Sequence, residues 1–107
     1  MIRWGRIALA AAVALPAFGA VAGGVYVVDQ SNRRFSVREL HVRRGETVRF
    51  NNVDEFSHHI YVASPGFNFN SGEQRPGQTV DVPFAVPGGY EVLCEIHPKM
   101  LLKVSVD

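Results

Sequence analysis

An all-β domain, folded as a sandwich or small barrel, is what this sequence predicts, and three observations predict it. Short runs of β-branched and aromatic residues recur at 26–28, 47–50, 59–62, 79–84, 90–93 and 101–106. Turn-forming residues punctuate them, in Arg44-Gly45-Glu46, Asn51-Asn52, Ser64-Pro65-Gly66, Pro76-Gly77 and Pro87-Gly88-Gly89. Within the runs the pattern has a period of two. Val80 and Val82 flank Asp81, while Val104 and Val106 alternate with Lys103 and Ser105, so each strand buries one face and wets the other. Strands are expected near 25–30, 38–43, 46–51, 58–63, 78–84, 88–94 and 101–106, a spacing that suits a sandwich. The span 64–77 is the longest irregular stretch, with Phe67 and Phe69 tucked against the body of the domain.

Before the first strand lies a segment of another kind. Arg3 and Arg6 open the chain, and 7–28 then carries no charge and is rich in Ala, Val and Gly. A basic start, an apolar run and the small-x-small sequence Ala20-Val21-Ala22 fit an export signal, 1–22, ahead of a folded domain at 23–107. A retained membrane anchor is the rival reading. Pro16 and Gly23-Gly24 interrupt the run and favour removal, and either reading puts the folded part outside the cytoplasm, in the periplasm. Adjacent arginines of a twin-arginine signal are absent, which favours export unfolded and later metal insertion. Taking 22 residues from 107 leaves 85, with nine of the eleven Lys+Arg and all ten Asp+Glu, for a formal charge of −1. No basic stripe with interleaved aromatics is present, so a nucleic-acid partner is not expected.

The chain has one cysteine, Cys94, and so cannot form an internal disulfide. A free thiol in an oxidising compartment is a liability, whereas a metal keeps the sulfur as a protected thiolate. Cys94, His97 and Met100 stand three apart in Cys-Glu-Ile-His-Pro-Lys-Met. Thiolate and thioether are soft donors that suit copper(I), and imidazole serves both copper oxidation states. An electron-transfer copper site wants two imidazoles, one thiolate and a distant axial thioether. Zinc prefers four Cys or His ligands and uses methionine poorly. One further histidine is needed. His41 alternates with Leu40 and Val42 and is expected to face solvent. His58 shares parity with Ile60 and Val62, His59 with Tyr61 and Ala63, so periodicity leaves both open.

Phe56-Ser57-His58 after Asn51-Asn52, paired with Cys94-x2-His97-x2-Met100, resembles the small blue-copper proteins, the cupredoxins, and within them the plastocyanin and amicyanin group. The likeness covers 25–107, including the Val-Arg-Arg-Gly-Glu-Thr-Val-Arg-Phe-Asn-Asn hairpin and the Ser-Gly-Glu-Gln-Arg-Pro-Gly-Gln turn. It implies a Greek-key β-sandwich of about eight strands with copper at one end. Carried over by residue, the metal ligands fall on His58, Cys94, His97 and Met100. The family usually has Asn after the upstream ligand, to tie the two ligand loops together. His59 stands there instead, which keeps His59 as the alternative ligand.

With four protein donors on the metal, no position remains for substrate, so the resemblance implies a non-enzymatic shuttle of single electrons. Its partners would be larger redox proteins met transiently by a monomer with no stable membrane association. His97 would be the most exposed ligand, in an apolar patch with Pro98 and the loops carrying Phe56 and Pro65. A copper carrier or storage module handing the metal to another protein is the alternative.

Overall fold

The computed structural model describes residues 24–97 and 99–107; the expected export segment and Pro98 lie outside the described residues. The described residues form nine strands: β1 (Val25–Ser31), β2 (Arg34–Phe35), β3 (Glu39–Val42), β4 (Glu46–Asn52), β5 (Ile60–Ser64), β6 (Phe67–Asn70), β7 (Thr79–Phe84), β8 (Gly88–Cys94) and β9 (Leu101–Val106). They make two sheets, one in the order β3-β9-β8-β5-β6 and one in the order β2-β1-β4-β7. The chain passes repeatedly between the sheets, which makes β1 and β4 parallel neighbours, and likewise β3 and β9.

The two-residue alternation becomes the packing. Val48, Phe50 and Asn52 of β4 point inward, as do Val82 and Phe84 of β7, Val92 and Cys94 of β8, and Leu102, Val104 and Val106 of β9. At one end of the core Phe67, Phe84 and Tyr90 meet with ring centroids 5.4–5.7 Å apart. The Tyr90 hydroxyl donates to the Val86 carbonyl at 2.7 Å, so its one polar atom is paired.

Two elements depart from expectation. Phe67 and Phe69 do pack on the core, but their segment is strand β6, paired with β5. Ser64 and Phe67 face each other across the Pro65-Gly66 pair, with Gly66 at φ +84°, as a type II turn requires. The short strand β2 was also not expected. It folds back on β1 through Asn32 and Arg33, both in the left-handed region at φ 54° and 57°. Arginine is an uncommon occupant of such a turn, which normally signals itself by Asn-Gly or Asp-Gly.

Register sets where the functional loops emerge. Ile60 of β5 lies opposite Cys94 of β8. The strands are antiparallel, so residues before Ile60 and residues after Cys94 leave the sheet at the same end. The Pro65-Gly66 turn is at the other end of β5, which removes Pro65 from any patch around His97.

Candidate metal centre

The chain between Asn52 and Ile60 lies outside the strands and is held by side-chain hydrogen bonds and one isolated bridge. Asn52 accepts from the Asp54 N–H (2.9 Å) and donates to the carbonyls of Phe56 (2.8 Å) and Gln74 (3.0 Å). His58 and Gln74 exchange two backbone hydrogen bonds, of 2.9 and 2.7 Å, in an isolated bridge, so β5 starts at Ile60 rather than at residue 58. The Gln74 side chain accepts from Gln30 and donates to the carbonyls of Phe50 and Gln78, at 2.8–2.9 Å. The buried polar residues Gln30, Asn52 and Gln74 thus fix the backbone on which His58 sits.

Three donor atoms converge at this end. The Cys94 Sγ lies 3.7 Å from the Nδ1 of His58 and 3.9 Å from the Nδ1 of His97, and the two nitrogens are 3.1 Å apart. His58 and Cys94 are buried and His97 is half-buried, so it is the member nearest solvent. An ion about 2.0–2.3 Å from each nitrogen and sulfur needs gaps of this size between its donors. Met100 is fully buried, and its N–H donates to the His97 carbonyl at 2.9 Å, closing the loop that starts at Cys94. The donor set of two imidazoles and a thiolate, with a thioether on the same loop, fits copper better than a hard cation.

The far side of the His58 ring is also held. Its Nε2 lies 3.1 Å from Asp54 Oδ2, and that oxygen accepts the Arg33 N–H at 2.8 Å. Burial, the largest single influence on the Asp54 carboxyl, pushes it up. The Arg33 N–H, the His58 ring and the Glu55 N–H together outweigh burial and hold it below its usual range. An ionised carboxylate on Nε2 keeps the proton there and leaves Nδ1 as the free lone pair. Burial, reinforced by His58 and the Arg33 guanidinium and opposed by Asp54, pushes the His97 imidazole down and favours its neutral, metal-binding form.

His59 goes elsewhere. Its N–H donates to Cys94 Sγ at 3.2 Å, while its Nε2 faces the Asn70 side chain and, at 3.2 Å, a Glu95 carboxylate oxygen. His59 therefore links β6 to the residue after Cys94 and stays out of the donor cluster. His41 is exposed, between Ser105 and Asp107. Beside His97 stand exposed apolar side chains: Ile96, its neighbour in the chain, and Phe56, which meets the His97 ring edge-on at 6.4 Å. The Arg33 guanidinium stacks over Phe56, 4.0 Å from its centroid.

The fold and the site define a copper-binding β-sandwich. The family of copper binding proteins of the plastocyanin/azurin type matches residues 23–107, and the chain belongs to it. An amicyanin-alpha from Methylorubrum extorquens is 31% identical over 117 residues, covering 94% of this chain and 98% of its own. The amicyanin of Paracoccus denitrificans is 29% identical over 90 residues, covering 81% and 69% respectively. The solved structure of a reduced amicyanin variant superposes with a TM-score of 0.72 at 28% identity, covering 78% of this chain and 83% of that one. Copper is the cofactor, and the chain is a small blue-copper cupredoxin.

Proposed function

We propose that the domain is a type 1 copper protein that carries single electrons between larger redox proteins in the periplasm, and that His58, Cys94, His97 and Met100 would hold the copper. The observation that supports this most is the convergence of one sulfur and two ring nitrogens within 4.8 Å, at a buried site. Bound there, copper supplies a one-electron couple. The chain's own part is to hold the donors still. The His58 backbone is pinned by Gln74, its ring by Asp54, and the Cys94 sulfur by the His59 N–H. A site held this firmly rearranges little between oxidation states, and four protein donors leave no open position for substrate. His97, half-buried beside exposed Phe56 and Ile96, gives a partner a small apolar contact close to the metal, suited to brief docking.

Residues 1–22 serve in this reading as an export signal that is removed. Two measurements test it. Protein recovered from the periplasm should have the mass of 23–107; the mass of the full chain would mean that the segment is kept. Protein loaded with copper should cycle reversibly by one electron and keep its metal against a competing chelator. Ready surrender of copper without reversible cycling would support a carrier in place of a shuttle.

A further inference from the structure

Five arginines and lysines crowd one flank of the molecule next to the metal end. Four of them, Arg34, Arg38, Lys99 and Lys103, line a groove of about 690 Å³ between β2 and the start of β9. Glu39 is the one acidic residue in its wall, and buried Met100 lies at its base. Among the described residues none of the four cations has a carboxylate within 4.0 Å, whereas Arg49 and Arg75 are paired with Asp81 and Glu73. Arg33, stacked on Phe56, extends the same sign of charge to the edge of the apolar surface around His97. The groove therefore carries a formal +3 on a domain whose total is −1.

Such a separation costs self-repulsion that a random spread of the same residues would avoid. It creates a local field that attracts anions although the whole molecule is slightly anionic. We propose that this groove docks an acidic segment on the surface of a redox partner, clamped by Arg34, Arg38 and Lys103 and reaching Lys99 on the metal loop. This rests on the reading of the metal end as the site of electron exchange and adds the chemistry of the partner. The apolar surface beside His97 gives contact but little orientation. The groove, off to one side, supplies direction and speeds encounter. Its occupant touches the loop that runs from Cys94 to Met100, so docking here and docking at His97 are continuous.

The test uses the copper(I)-loaded protein, which is diamagnetic, and a hexaglutamate peptide followed by NMR. Saturable shifts should map to Arg34, Arg38, Leu101 and Lys103, and weaken as salt is raised. The pair Arg38→Glu and Lys103→Glu, outside the metal loop, should weaken binding at least tenfold. The pair Arg43→Glu and Arg44→Glu, on the β3–β4 turn at the other end of the sandwich, makes the same change in net charge and should leave binding within twofold. Shifts scattered over the surface, or equal loss in both pairs, would overturn the groove as a site. So would binding to phosphatidylglycerol vesicles with none to the peptide. The readout is binding alone, so a protein that cycles copper but ignores the peptide overturns the groove and leaves the shuttle standing.

Discussion

His58 shows how much a single residue depends on its surroundings here. By periodicity alone His58 and His59 are neighbours of equal merit, since both alternate with apolar residues. What separates them is their tertiary partners. Gln74 fixes the His58 backbone, Asp54 takes its outer nitrogen, and Asn70 and Glu95 draw His59 away. None of those contacts leaves a periodic trace. The resemblance on Phe56-Ser57-His58 favoured His58, but neither the Asp54 partner nor the left-handed Arg33 turn that supplies its N–H was legible. Arg33 bears the strain of φ 57°, a cost of about 1–2 kcal/mol, where its N–H and its guanidinium both serve the site. Replacing the support should therefore tell. Asp54→Ala should lower copper(II) affinity by about 10–100-fold, measured by chelator competition, with the β-sheet circular dichroism unchanged. An affinity equal to the parent's would mean that the carboxylate does not orient the ring. His59→Ala frees Glu95 and Asn70 and should speed copper loss without abolishing the visible colour, because the backbone N–H to sulfur is retained.

At the level of elements, the strands with clean alternation were readable and the tightly turned ones were not. β4, β7, β8 and β9 each place β-branched or aromatic residues inward with polar partners outward, and they fall within a residue or two of expectation. β6 reads Phe-Asn-Phe-Asn, and its asparagines look like turn residues until β5 is present to pair with them. The irregular connection after it matters as much as any strand, because Gln74 joins β1, β4 and the His58 segment by hydrogen bonds. Gln74→Leu strips three side-chain hydrogen bonds from a buried position and leaves the Phe50 and Gln78 carbonyls without that donor. It should destabilise the protein by about 1–3 kcal/mol or more, read as a lower urea midpoint with an unchanged slope. A change in slope would point instead to a looser native state.

For the whole molecule, the two-sheet sandwich follows from composition and turn chemistry, and its end-on metal site from register: Ile60 opposite Cys94 brings both ligand loops to one end. Which flank carries the charge was not legible, because the grooved cations come from 34, 38, 99 and 103, distant in sequence and joined only by the fold. Copper binding couples to the stability of the whole domain, since the unfolded chain has no preformed site. Loaded protein should melt higher than metal-free protein, and Cys94→Ala should lose most of that difference. The bidentate Arg49–Asp81 pair, at 2.9 and 3.0 Å, bridges β4 and β7. The Arg49 guanidinium holds the Asp81 carboxyl below its usual range, against a smaller opposing effect of burial. A depressed carboxyl stabilises the fold above its unfolded value, about 3.9, and that contribution is lost as pH falls through the folded value. The stability gap between the parent and Asp81→Asn should accordingly be present at neutral pH, shrink with salt and close as the pH drops below the carboxylate range.

The visible absorption spectrum of the copper(II)-loaded protein bears most directly on a copper ion shared by Cys94, His58 and His97. The arrangement predicts an intense thiolate-to-copper charge-transfer band that vanishes in Cys94→Ser and survives in His59→Ala. Stoichiometric copper with only weak absorption, or an intense band that persists in Cys94→Ser, would contradict it.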